Sequence, residues 1–226
     1  MPERYAIRPA APRDLPAAAR LIARTLGFAP ADAIAPWVMR TTGECGGITL
    51  VATDGAAVVG ALHSIAGVDG EGRFLFTCGL AVAAPHRGHG IGLELKREQR
   101  RRALAAGYER IRWTADPVNG RALRLYVAGL GARLVRYRAG LHDGLRADPR
   151  HSQGDVELRW DLGGTAAPRA GPAERHAVDL PWTAASGADR ARVRGAMARL
   201  LAAGCVGTDV QVDHAARRCA VVFTPR

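Results

Sequence analysis

Three observations predict a mixed α/β fold. Apolar runs of strand length alternate with helix-length segments, an Asp54-Gly55 pair joins two of the runs, and a glycine-rich loop leads directly from a strand into a helix. Strand candidates cover residues 5–8, 48–53, 57–65, 74–82, 110–114, 133–139 and 155–162, and helix candidates cover 15–26, 91–106 and 119–128. Their order, β-α-β-β-β-α-β-α-β-β, describes an α+β mixed sheet followed by a small C-terminal α+β extension.

Each element has a local cause. Asp14 is placed to cap the first helix and Gly27 to stop it. Asp54-Gly55 is a strong hairpin signal, because both positions of a tight turn tolerate positive φ. In the helix over 91–106, Ile91, Leu95, Ala103 and Ala106 form one stripe, from which Leu93 and Leu104 depart. Residues 1–163 are read as the main domain, and GGTAAPRAGPAE opens a linker over 164–174. Residues 175–226 then form a small α+β unit, with a strand over 177–180, a helix over 189–203 and a hairpin of 206–212 with 219–224.

Composition narrows the function classes. The 226 residues suffice for one domain with an extension or two small domains, and an apolar content of 48% is that of an ordinary globular chain. No run approaches the length of a membrane span, and the N-terminus lacks a basic-then-apolar leader, so a cytoplasmic protein without a membrane partner is expected. A net charge of +11 invites a nucleic-acid partner. Lys96 is the only lysine, however, and the arginines are spread along the chain, so no nucleic acid is expected. The densest cluster, Lys96, Arg97, Arg100, Arg101 and Arg102, reads either as a solvated helix face interleaved with Glu94 and Glu98 or as a positive field for an anionic cofactor. Cys45, Cys78, Cys205 and Cys219 lack the pair spacings of a zinc site, so neither a metal nor a disulfide is expected.

The sharpest feature is Arg87-Gly88-His89-Gly90-Ile91-Gly92, three glycines at alternate positions where a helix begins. A helix start carries unpaired N–H groups and partial positive charge, and residues without side chains let a phosphate reach them. The loop is thus a candidate pyrophosphate cradle, or else a tight strand-to-helix turn.

The stretch from Leu80 to Gly92, LAVAAPHRGHGIG, resembles the acyl-CoA motif of the GNAT superfamily of acyltransferases, and the element order from Tyr5 to Leu162 resembles that fold. The resemblance implies a bulged fourth strand splayed from the fifth. It implies that Leu80, Ala81 and Val82 pair with pantetheine and that Arg87, Gly88, His89, Gly90, Ile91 and Gly92 hold pyrophosphate. A narrower likeness, to a branch with a Trp-Thr-x-Asp-Pro signature and an extra C-terminal unit, rests on WTADP at 113–117, LGARLVRY, GDVELRW and, more weakly, HAVDLPW. Thr77-Cys78 and Tyr126 depart from that branch, which usually has Ser-His and Asn there.

The implied activity is transfer of an acyl group from acyl-CoA, acetyl-CoA by default, to a primary amine of a small molecule by direct attack. Such a reaction needs a neutral amine, a stabilised oxyanion and a proton for the leaving thiolate. By resemblance, main-chain N–H near Leu80 polarises the thioester. Asn119, Ala122, Leu125 and Tyr126 fit the superfamily pattern that ends in an acid tyrosine, with Asn119 beside the cofactor. Counting back from Leu130-Gly131 instead puts Val127 at that position, and one residue is about 100° on a helix. His63 could relay the amine's proton or be structural. Asp116 could bind an ammonium, act as base or serve the turn before Pro117. Cys78 is a candidate nucleophile or a pocket-lining thiol. Glu44 is a candidate acid at a pocket edge. Succinyl-CoA as donor to an amino acid, a silent acyl-CoA-binding or regulatory module, and a homodimer are the alternatives.

Overall fold

The Asp54-Gly55 hairpin is present in a computed structural model, which describes residues 5–140, 155–163, 175–182 and 185–226; Gly55 takes the positive φ of 56° that the turn demands. The linker expected over 164–174 lies outside the described residues. The described chain falls into two compact units, one holding the residues through Arg112 and the other those from Trp113 onward.

In the first unit, β1 (Ala6–Pro9), β2 (Ile48–Asp54), β3 (Ala57–Asp69) and β4 (Gly72–Val82) lie in that order, each antiparallel to the next. Strand alternation divides their side chains between two cores. Val51, Ala61 and Ala81 pack with Leu15, Ala18, Ala19, Leu21 and Ile22 of α1 (Leu15–Leu26) and with Met39 of α2 (Pro36–Glu44). Leu50, Ala52, Leu62, Leu80 and Val82 point the other way, onto Ile91 and Leu95 of α3 (Ile91–Ala105). At Gly60 a Cβ would come within 2.9 Å of Ile91 and 3.0 Å of Ala52, so glycine there lets α3 lie close to the sheet.

Strand β5 (Arg110–Ala115) begins in the first unit and ends in the second. The second unit continues with α4 (Gly120–Leu123), a π-helical segment Arg124–Gly129, β6 (Arg133–Arg138), β7 (Asp155–Asp161), β8 (His176–Leu180), α5 (Gly187–Ala202), β9 (Cys205–Asp213) and β10 (Arg218–Pro225). Its strand order is β7-β6-β9-β10-β8, so the C-terminal elements continue the pairing that β6 and β7 begin. Ser186 and Asp189 cap α5 reciprocally, the Ser186 hydroxyl accepting from the Asp189 N–H at 3.1 Å.

The mixed α/β class and the order of strands agree with the sequence reading, and the differences have local causes. Helix α2 was not expected in a segment with two threonines and Gly43, yet Pro36 sits at its start and Met39, 1% exposed, anchors it. Asp14 does not cap α1 with its side chain; it pairs with Arg8 at 2.6 Å and accepts from the Ala11 N–H at 2.7 Å. The helix expected over 119–128 is a short α turn that passes into the π segment. Lys96 is fully buried, so the basic cluster is not a single solvated face.

Candidate active site

Strand β4 carries the site's first irregularity. Its pairing with β3 runs Ala61↔Ala81, Leu62↔Leu80 and His63↔Gly79, then jumps to Ser64↔Thr77, leaving Cys78 as an extra residue. This β-bulge breaks the alternation, so Thr77 shares a face with Leu80 and Val82 although their numbers differ in parity. Around it, Leu80 is half-buried, Ala81 buried and Val82 half-buried.

Past Val82 the chain makes a single 3₁₀ turn at Ala84–His86 and enters the glycine loop. Gly88 and Gly90 have φ of 87° and 81°, left-handed values that a side chain would strain. Gly88, His89 and Gly90 are exposed, and a Cβ added at Gly90 would meet no atom within 4 Å. The loop therefore presents open space at the N-terminus of a 15-residue helix, the environment in which backbone N–H groups donate to an anion. Arg87 turns back, its Nε donating to the Val82 carbonyl at 2.9 Å, and so ties the loop to the end of β4. The His86 and His89 rings stand 5.7 and 6.3 Å from that of Tyr5. Ile91 is core and Gly92 lies in the first turn of α3.

Two candidate residues stand at the bulge, His63 beside it on β3 and Cys78 as its extra residue. His63, 1% exposed, has its Nδ1 2.9 Å from the Thr49 hydroxyl, and burial lowers its pKa to about 4. It is thus neutral across the physiological range. Burial pushes the Cys78 thiol up to about 11, so little thiolate forms near neutral pH.

The other candidates belong to the second unit. The Tyr126 ring meets Trp113 edge-on, with centroids 5.1 Å apart, and burial raises the phenol to about 12. Val127 is 3% exposed and lies in the core. The π segment contains both and inserts one residue relative to an α-helical path, which accounts for the one-position conflict between counting from Asn119 and counting from Gly131. The Asn119 side chain caps α4, accepting from the Ala122 N–H at 3.1 Å. Asp116 accepts from the Val118 N–H at 3.2 Å, the turn chemistry expected before proline, and from Arg190 of α5 at 3.1 Å. Arg194 adds a longer contact of 4.0 Å to the same carboxylate.

Sequence reasoning missed Arg190 and Arg194, whose long-range pairing leaves no local pattern. It also missed the group around Lys96. The Lys96 Nζ donates to the Thr77 Oγ1 at 2.9 Å and to the Gln99 Oε1 at 3.1 Å, and the Gln99 Nε2 donates to Thr77 Oγ1 at 2.9 Å. For Gln99 the signal was available, since it lies between Leu95 and Ala103 on the stripe that turns inward, whereas Lys96 stands at the edge of that stripe, about 100° from Leu95. Glu44 borders a groove of about 680 Å³ with Arg40, Arg101 and Arg102, at the opposite end of α3 from the glycine loop. Among the described residues no group of three or more His, Cys, Asp or Glu could hold a metal ion, and no helix is long and apolar enough to cross a membrane.

A bulged strand running into a left-handed glycine loop at a helix start, in a mixed α/β fold, is the arrangement that the resemblance to the acyltransferases implies. Residues 15–132, more than half of the chain, match the model of the acetyltransferase (GNAT) family, and the chain belongs to that family. No curated protein sequence matches it. Among solved structures it is similar to NAA60 of Arabidopsis thaliana in complex with acetyl-CoA (17% identity, 71% of this chain and 99% of that one, TM-score 0.58). It is also similar to the IAA acetyltransferase of Bacillus cereus (18%, 70% and 99%, TM-score 0.55) and to the ribosomal-protein-S18-alanine N-acetyltransferase of Escherichia coli (16%, 74% and 99%, TM-score 0.53). At these identities the likeness is one of fold.

Proposed function

We propose that the chain transfers an acyl group, acetyl by default, from acyl-CoA to the primary amine of a small molecule by direct attack. The observation that carries this reading is the continuity of the bulge at Cys78, the open left-handed loop at Gly88 and Gly90, and the helix start at Ile91. In it the loop N–H groups of 88–92 take the pyrophosphate, and the β4 main chain over 80–82 takes the pantetheine arm. A main-chain N–H near Leu80 polarises the thioester carbonyl as the amine attacks. The C–N bond forms first and gives a tetrahedral oxyanion; its collapse breaks the C–S bond, the amine nitrogen releases a proton to solvent, and the leaving thiolate takes one up.

Tyr126 is our choice for that proton donor, since its raised pKa keeps the phenol protonated at every neutral pH. We assign His63 a structural part, because an imidazole with a pKa of about 4 is a weak base at pH 7. Cys78 is assigned to the bulge and not to covalent catalysis. Asp116 faces two arginines and is assigned to holding the end of β5. A panel of small primary amines, assayed with acetyl-CoA for release of free thiol, tests the proposal. Turnover with at least one amine and a drop in kcat of about 100-fold for Tyr126→Phe are expected. Turnover confined to peptide N-termini would contradict the small-molecule acceptor, and full activity of the phenylalanine variant would remove Tyr126 from the mechanism.

A further inference from the structure

Lys96, Gln99 and Thr77 form a group that the reaction does not touch and the core does not require. All three are buried, at 0%, 0% and 6% exposure, in a helix-to-strand contact otherwise made of leucine, isoleucine, valine and alanine. Apolar residues at these positions would satisfy the packing. Instead the helix directs an amine and an amide at one hydroxyl, the Thr77 Oγ1, at 2.9 Å from each.

That hydroxyl is on the α3 side of β4 only because of the bulge. In a regular strand Thr77 would lie with Gly79 and Ala81, on the side packed against α1, and Cys78 would stand opposite Ser64. A slip that erased the bulge would leave the Lys96 amine and the Gln99 amide facing a thiol. Buried polar groups discriminate between such arrangements, because a thiol is a far weaker acceptor than a hydroxyl and two hydrogen bonds weaken where water cannot make up the loss. The same helix begins at the glycine loop, and Lys96 lies six residues from Gly90, about 9 Å along the helix axis.

We propose that Lys96, Gln99 and Thr77 are positioning residues that lock the Cys78 bulge of β4 in register with α3, and so fix the span between the glycine loop and the strand main chain beyond the bulge. This rests on the reading above, in which the loop holds pyrophosphate and β4 holds pantetheine. A ligand that uses both ends then depends on the lock, and a ligand that uses the loop alone does not.

The test is calorimetric binding of two probes, acetyl-CoA and its nucleotide half, adenosine 3′-phosphate 5′-diphosphate, at a temperature where circular dichroism shows every variant folded. In Thr77→Val and Lys96→Met, acetyl-CoA binding is expected to weaken by about tenfold or more while nucleotide binding stays within about twofold of the parent. Thr77→Ser keeps the hydroxyl and is expected to bind acetyl-CoA within about threefold of the parent. If Lys96→Met does not fold, the Thr77 pair decides alone. Equal losses for both probes, unchanged acetyl-CoA binding, or a Thr77→Ser variant as weak as Thr77→Val would overturn the lock. Failure of the parent protein to bind either probe would instead overturn the acyl-CoA reading, and the lock with it.

Discussion

The two faces of α3 treat charge in opposite ways. Outside, Arg97 pairs with Glu94 at 2.6 Å, and Arg101 and Arg102 pair with Glu98 at 2.6 and 2.7 Å, all at helical spacing and largely in water. Inside, Lys96 is fully buried with a hydroxyl and an amide, and burial lowers its pKa well below the usual 10.5. Of five basic residues close in sequence, Arg97 and Arg101 are exposed, Arg100 and Arg102 are half-buried, and Lys96 alone is fully buried. A hydrogen bond lost away from water costs more than one lost in water, so a desolvated group can specify a register.

Mutations should expose that difference. Leu95→Ala, on the inner face at 0% exposure, is expected to cost about 2–5 kcal/mol in chemical denaturation, since it opens a cavity between helix and sheet. His63 provides the same condition on the opposite side of β4. Its folded pKa of about 4 lies below the unfolded 6.5, so the unfolded chain binds the extra proton between those values and stability falls as the pH drops through that window. The full loss is roughly 3 kcal/mol, and His63→Gln should flatten it. Unfolding midpoints that do not change between pH 6.5 and 4 in a His63-dependent way would contradict a buried neutral imidazole.

Lys96 gives a slope of the same sign at higher pH. Between its lowered folded pKa and 10.5 the unfolded chain holds a proton that the folded one has lost, so stability should rise with pH in that window by up to about 1.4 kcal/mol per unit. Lys96→Met should remove this slope, and an unchanged slope would mean that another group produces it. The smallest effect is expected outside, where Arg97→Ala or Arg101→Ala should leave the denaturation midpoint almost unchanged, and the change should shrink further in high salt.

Much of this was legible in the sequence, for identifiable reasons. Asp54-Gly55, Gly27 and the alternate glycines at 88 and 90 each answer a local backbone demand, and the structure shows positive φ at all four glycines involved. The bulge was implied only by resemblance, because its position depends on which residue of β4 faces which core, a property of two strands and two helices together. The register of Tyr126 stayed open for a similar reason. A π turn has no strong residue preference, so two sound alignments differed by one place. Helix α2 was hidden by its threonines and Gly43, since tertiary burial of Met39 outweighs weak local propensity. Lys96 was read by its charge, and its position about 20° beyond Ala103, at the edge of the inward stripe, did not mark it as buried.

The most direct measurement is the thermal stability of the purified protein against a panel of CoA esters, beginning with acetyl-CoA and succinyl-CoA. At about 100 times its dissociation constant the true donor should stabilise the fold by roughly 2.7 kcal/mol, and Gly90→Val, which blocks the open face of the loop, should abolish that shift. A parent protein whose stability is unmoved by every ester would mean that Gly88 and Gly90 only turn the chain, and would contradict the glycine loop as the site of acyl-CoA.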